Sequence, residues 1–202
     1  IPGADTISAL ERYTISGVVT DVNGNTLSDF NGHVYPVIYD KSQQLKTLAN
    51  DPESLVEEFT TQQNIVFKGK AKVTNGQFSY TFVVPKDINY QFGNGKISYY
   101  AENGILDGSG AETSVIVGGA SANPITDQRG PDIKAYLNDE KFVNGGITNQ
   151  TPVLVIRLFD SSGINTVGTG IGHDITATLD GDNNSYYVLN DFYEADADSY
   201  QR

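Results

Sequence analysis

The sequence predicts an all-β protein of antiparallel β-sandwich type, and two observations carry that prediction. The dominant hydrophobic period along the chain is two, the spacing at which a strand sends alternate side chains to one face. The clearest case is the run "NIVFKGKAKVTNGQFSYTFVVPKD", in which Asn75-Gly76 supplies the residue pair that a type I′ hairpin turn requires. With the turn placed there, Thr74 faces Gln77, Val73 faces Phe78, Ala71 faces Tyr80, Gly69 faces Phe82 and Phe67 faces Val84. The other face pairs Lys72 with Ser79, Lys70 with Thr81 and Lys68 with Val83. A slip of one residue would turn the lysines into the core, so the pattern fixes the register. The lysine row is then the solvated face of a half-buried sheet rather than an anion site.

The remaining elements follow in chain order. "RYTISGVVTD" sets Tyr13, Ile15 and Val19 on one face and turns at "VNGN" into "GHVYPVIYD". "NDPESLVEEF" reads as one helical turn, with Asp51 as cap, Pro52 at the first position and Leu55, Val56 and Phe59 on one side. "GKISYYAE" and "TSVIVGG" are two more strands, separated by the turn-rich "NGILDGSG". Residues 1–118 therefore form one sandwich with a long connection. "GGASANPITDQRGPD" interrupts the alternation, and a linker is placed at 119–131. Beyond it, "DIKAYLND", "TPVLVIRLFD", "HDITATLD" and "SYYVLND" are four further strands. The run "PVLVIRLF" is apolar on both faces, as a covered central strand would be. Four strands fall short of the roughly seven of an immunoglobulin-like sandwich, so 132–202 is expected to be an incomplete, truncated domain. Its strand edges and apolar face invite self-association or partial mobility.

Composition removes several function classes. The 202 residues contain 13 Lys+Arg against 25 Asp+Glu, a formal net charge of −12. That field repels nucleic acid and anionic membrane. No apolar run approaches the roughly 20 residues of a membrane-spanning helix. There is no cysteine, hence no disulfide, thiolate metal site or cysteine nucleophile within the chain. There is no methionine and no signal peptide, and the chain reads as a mature or excised piece of something larger.

The stretch "FDSSGINTVGTGIGHDITATLDGD" is the strongest temptation toward chemistry. Gly168, Gly170 and Gly172 precede a strand pattern rather than a helix, so they do not make a phosphate cradle. His173 and His33 have no cysteine to activate, and Asp160-Ser161-Ser162-Gly163 has the composition of a β-turn rather than of a strained nucleophile. Two histidines so far apart are a weak case for zinc. Asp180, Asp182 and Asn184 occupy the first, third and fifth places of a calcium-type loop, with Asp191 at the twelfth. Ser185 stands where the sharp-turn glycine belongs, and the flanks are strands. A hairpin loop is the simpler reading, as it is for "DVNGN" around Asp21. No catalytic, cofactor or metal residue is assigned; calcium is the one cofactor left open. The acidic tail of Asp191, Glu194, Asp196 and Asp198 is expected to be solvated, with a basic partner as the alternative.

Three long strings carry a resemblance: "DFNGHVYPVIYDK", "FKGKAKVTNGQFSYTFVVPKDINYQFGNGKISYYA" and "YLNDEKFVNGGIT…INTVGTGIGHDITATLDGD…VLNDFYEA". From about Ala4 onward the chain resembles the region downstream of the catalytic domain in gingipain-type cysteine peptidases, those that act as sortase of the type IX secretion system. The resemblance implies immunoglobulin-like β-sandwich modules, a place at the outer surface of Bacteroidetes cells, and partners among the parent peptidase domain and outer-membrane secretion components. It also implies that the family's chain continues past "DSYQR". The family cleaves cargo sorting signals and joins the new terminus to an anionic lipopolysaccharide, but its cysteine-histidine pair has no counterpart here. The expected role is a non-catalytic accessory or docking region. The rival reading is a free-standing surface adhesin or carbohydrate-binding module, supported by twelve tyrosines and weakened by the absence of Trp.

Overall fold

The computed structural model describes residues 6–127, 129–165, 174–182 and 184–202. Its strands, in chain order, are β1 (Thr6–Ala9), β2 (Arg12–Val18), β3 (Gly32–Tyr39), β4 (Gln43–Lys46), β5 (Glu58–Thr61), β6 (Ile65–Lys68), β7 (Ala71–Thr74) and β8 (Gln77–Val83). They continue as β9 (Gly93–Asn94), β10 (Lys96–Glu102), β11 (Asp107–Glu112), β12 (Ile116–Ala120), β13 (Asp132–Leu137), β14 (Leu154–Phe159), β15 (Thr176–Thr178) and β16 (Tyr186–Val188). A single 3-10 turn, Asn190–Phe192, is the one helical element among the described residues. The protein is all-β.

The Asn75-Gly76 turn forms as its residues require, with φ of 51° and 75° at the two positions. It sets Val73 opposite Phe78 and Thr74 opposite Gln77. The ladder stops there instead of running on to Phe67 and Val84, because β8 leaves β7 and pairs along its full length with β2, from Val18↔Gln77 to Arg12↔Val83. On that solvated face Thr14 and Thr81 share a hydrogen bond of 2.8 Å, and Ser16 donates to Ser79 at 3.2 Å. The alternation is kept. Ala71, Val73, Tyr80 and Phe82 are buried, while Lys68 and Lys72 are exposed.

β6 and β7 lie end to end on β3 in one register, with Val37↔Lys68 and Val34↔Ala71 on either side of the gap. The gap falls at Gly69, whose N–H donates to the Pro36 carbonyl at 3.1 Å. Pro36 has no N–H to return, so the ladder breaks at that point. A proline is tolerated here in an interior strand because the missing donor faces this interruption.

The large sheet runs β11-β10-β3-β7-β8-β2, with β6 beside β3, and a second sheet runs β1-β12-β9. β1 pairs with β12 in parallel, Thr6 with Ile116 and Ile7 with Val117, the one parallel pair among the described strands. The two sheets share one core in which Ile7, Ala9 and Val117 meet Val34, Ile38 and Phe82. Phe67 stacks on Phe82 at 4.9 Å and on Tyr80 at 5.9 Å, and Phe82 lies 5.9 Å from the Tyr13 ring. Asp40, 5% exposed, ties the sheets at one end. Lys41 Nζ donates to Asp40 Oδ1 at 2.5 Å and to the Asn89 and Val117 carbonyls at 2.8 and 3.1 Å, while the Asn89 N–H donates to Asp40 Oδ2 at 3.2 Å. Both charges are multiply bonded, which is the condition for a buried pair to be tolerated.

Three expectations are corrected. "NDPESLVEEF" is not helical: the Ser54 N–H closes a turn on the Asp51 carbonyl at 3.0 Å, and Glu58–Thr61 then runs as a strand against β4. One apolar cluster is too little to nucleate a helix, whereas pairing sets Leu45 opposite Phe59 and joins Lys46 Nζ to Glu58 Oε1 at 2.7 Å. "NGILDGSG" is not only a turn, since β11 begins inside it at Asp107 and pairs with β10 through Glu112. And β14 is not a covered central strand: β13 is its only partner strand among the described residues, and Val153 and Leu154 are 64% and 49% exposed. β15 and β16 make a second two-stranded sheet.

Candidate functional site

The loops that invited a chemical reading use their polar groups to close themselves. Asp21 Oδ1 accepts the N–H groups of Asn23 at 2.8 Å and Asn25 at 2.9 Å, and its Oδ2 accepts the Asn25 amide at 3.0 Å. The Asn25 side chain, followed by its backbone N–H, holds this carboxyl below its ordinary pKa. Asp182 behaves alike. It accepts the Asn184 N–H at 2.9 Å and the Ser185 hydroxyl at 3.0 Å, and these bonds lower its pKa, the Asn184 N–H foremost. Asp180, with φ of 52°, forms the turn between β15 and β16, while Asp191 lies in the 3-10 turn after β16. Among the described residues no three Asp, Glu or His side chains are grouped to hold a metal ion. Gly168, Gly170, Gly172 and His173 lie outside the described residues.

His33 stands on β3 with Nδ1 3.7 Å from Glu102 Oε1, beside a Tyr35 whose hydroxyl donates to the same oxygen at 3.3 Å. The Asp160–Gly163 segment is a turn, as its composition implies, with the Gly163 N–H on the Asp160 carbonyl at 3.1 Å. The hydroxyl of Ser162 donates to Asp127 Oδ2 at 2.6 Å. That serine anchors the preceding connection.

The tyrosines divide by face. Tyr80 is buried and its hydroxyl lies 3.3 Å from that of Tyr99; burial, with Tyr99 second, drives its pKa upward. The Tyr13 hydroxyl accepts the Ser8 N–H and donates to Glu11 Oε2, both at 2.9 Å, and burial raises its pKa too. On the outer face, Lys96 Nζ sits 4.4 Å from the Tyr39 ring centre and Lys70 Nζ 5.6 Å from that of Tyr35. Those rings are occupied by the chain's own cations, which weakens the reading of the outer face as a sugar-stacking platform.

The acidic tail is not simply solvated. The Lys72 N–H donates to Asp198 Oδ1 at 2.8 Å, and the Asp198 N–H donates to the Lys70 carbonyl at 2.9 Å. The tail thereby takes the next backbone donor and acceptor beyond the point where β8 leaves β7. Arg12 lies 5.6 Å from the Tyr200 ring centre. From the other side, the Asp160 N–H donates to the Gln201 carbonyl at 2.9 Å and the Ile164 N–H to the Tyr200 carbonyl at 3.2 Å. Tyr193, pushed up to about 12 by burial and then by Asp196, belongs to the same packed segment. Nothing in the acidic spacing signalled this, because the bonds are made by backbone groups that only the splay of β8 leaves open.

A cleft opens between the two ends of the large sheet. β2 and β11 are the sheet's terminal strands, and the cleft, of about 710 Å³, is lined by both. Tyr13, Ile15, Phe78 and Tyr99 face it, with Gly110 and Glu112 on the β11 side. Walls made of strand edges and a floor of aromatic and aliphatic side chains suit polypeptide binding better than bond-making chemistry.

No protein-family model matches the chain, and no curated protein sequence does. Among solved structures, the crystal structure of dimeric latent PorU from Porphyromonas gingivalis matches over 97% of this chain, with a TM-score of 0.58 and 32% sequence identity. The chain is similar to a segment of PorU. It spans 19% of the length of that PorU chain. The likeness to PorU takes in both the sandwich and the C-terminal segment, so it extends to their succession along the chain as well as to either part alone.

Proposed function

We propose that this chain is a non-catalytic accessory region of a PorU-like, gingipain-type sortase of the type IX secretion system. In this reading its β-sandwich positions the peptidase or docks it to outer-membrane secretion components at the cell surface. The observation that carries the reading is the PorU match, at 32% identity across nearly the whole chain and confined to 19% of PorU. The edge-walled cleft and the absence of cysteine from the sequence are consistent with a binding rather than a peptidase role. The division into a sandwich at 1–118, a linker at 119–131 and a second region at 132–202 is part of the proposal. Among the described residues no helix is long and apolar enough to cross a membrane, so attachment through partners is the form of surface association proposed.

The test is made in the full-length parent. Residues equivalent to 12–118 are deleted, and processing of cargo is followed by its electrophoretic shift and surface attachment. Lost or misdirected processing, with the peptidase still stable and active on a short peptide, supports a positioning role. Unchanged processing and attachment overturn it.

A further inference from the structure

β11 is an unprotected edge. Its six residues, Asp107 to Glu112, are all exposed and pair regularly with β10, their one partner strand among the described residues. It carries no lysine, proline or bulge of the kind that usually blocks a strand edge. Its cleft-facing positions are set by the register with β10: Gly108 stands opposite Ala101, Gly110 opposite Tyr99 and Glu112 opposite Ile97. A Cβ added at Gly108 or Gly110 would meet nothing within 4 Å. The strand therefore brings a backbone edge to the cleft and leaves bare the floor that its own side chains would have covered.

We propose that this seam binds an extended segment of another polypeptide by strand addition to β11. The inferred segment is apolar at the positions opposite Gly108 and Gly110 and basic opposite Asp107 and Glu112. Main-chain bonds to β11 supply affinity, as in other edge-strand recognition. The inward side chains of the guest settle over Ile15, Phe78 and Tyr99, where a glycine strand has left room. Asp107 on one face and Glu112 on the other select the flanking cations and set the register. Asp107 is the stronger of the two, because Glu112 Oε1 already accepts the Ser114 N–H and hydroxyl at 2.6 and 2.7 Å. A second copy of the chain fits poorly. Antiparallel pairing of two β11 strands brings Glu112 of one beside Asp107 of the other at both ends. It also sets Gly108 opposite Ala111 and Gly110 opposite Ser109, side chains too small to cover the floor. The inference rests on the sheet edges alone, and stands or falls independently of the sortase reading.

The probe is the capped peptide Lys-Thr-Val-Thr-Val-Lys, titrated into the 202-residue chain and followed by amide NMR. The expected result is saturable shifts at Gly108 to Glu112 and at Ile15 and Tyr99, abolished when the third residue of the peptide is replaced by Pro. Gly110→Val occupies the cleft from within; its backbone does not need positive φ, so the fold is kept and the melting temperature holds while binding is lost. Asp107→Lys weakens the Lys-flanked peptide by about tenfold, attraction having become repulsion, and favours a Glu-flanked one. The proposal is overturned by absence of shifts at millimolar peptide, by equal binding of the Pro peptide, or by binding that survives Gly110→Val. It is equally overturned if sedimentation shows the chain self-associating through β11, which assigns the edge to a second copy.

Discussion

Phe82 in the sandwich is fully buried, stacked on Phe67 and flanked by Tyr13 and Tyr80, whereas Leu154, in an equally apolar strand of the C-terminal segment, is 49% exposed. Local sequence does not separate them. What differs is the number of layers around each strand: β8 lies between two neighbours beneath a second sheet, and among the described residues β14 has β13 alone. Apolar patterning makes a strand, but only a facing layer turns that strand into stability. The contrast also explains the tail. The C-terminal segment gains fixed contacts by reaching back to backbone groups of the better-built half.

The sharpest way to break the comparison is Phe82→Ala. It is expected to cost about 3–5 kcal/mol by removing a fully packed ring, seen as a lowered urea midpoint for the sandwich; a loss under about 1 kcal/mol would mean the core is loosely packed. Next is Gly76→Ala. A Cβ there would lie 2.4 Å from the Leu27 carbonyl oxygen on a residue of positive φ, so a loss of about 2 kcal/mol is expected by the same measurement. Asp198→Gly keeps the left-handed backbone and deletes the carboxylate, costing about 1 kcal/mol. Its signature is faster hydrogen exchange at the Lys72 amide and at Asp160 and Ile164, with the core amides of β8 unchanged. Protection that persists at Lys72 would show that the tail contact does not hold in solution. Leu154→Ala should cost less than about 1 kcal/mol, since the side chain is half in water already; a loss as large as that of Phe82→Ala would reveal a covering layer.

The smallest effect is acid sensitivity, expected alike in both halves. Asp21 and Asp182 have folded pKa values below those of the unfolded chain. Their contribution is therefore present above the ordinary carboxylate range and is lost as pH falls through the lowered folded values. Carboxyl NMR titration should find both below a free aspartate, and Asp21→Asn should flatten the acid limb slightly. A titration at or above the free value would remove the loop-closing role.

Much of this was legible. Asn75-Gly76 announced its turn because both positions need positive φ, and the lysine alternation fixed faces because a slip buries charge. The misreadings share a cause, which is partnership invisible to local pattern. β11 is built of Asp, Gly, Ser, Ala and Glu and becomes a strand because β10 offers a free edge. β5 is drawn out by β4 across a long loop, overriding a helical spacing too brief to nucleate. The first strand, β1, went unread because its partner lies at the far end of the sandwich. The Asp198 contact could not be inferred from charge, since its partners are main-chain groups.

That parallel pairing of β1 with β12 has a consequence in time. The β7–β8 hairpin closes over two residues and can form within microseconds. β1 can meet β12 only after almost the whole sandwich sequence has been looped, and non-local closure of this kind is slow. The pair is therefore expected to form late, which hydrogen-exchange labelling during refolding would show as late protection of the Ile7 and Val117 amides. Until it forms, the faces of Ile7, Ala9 and Val117, buried in the finished core, stay open to water.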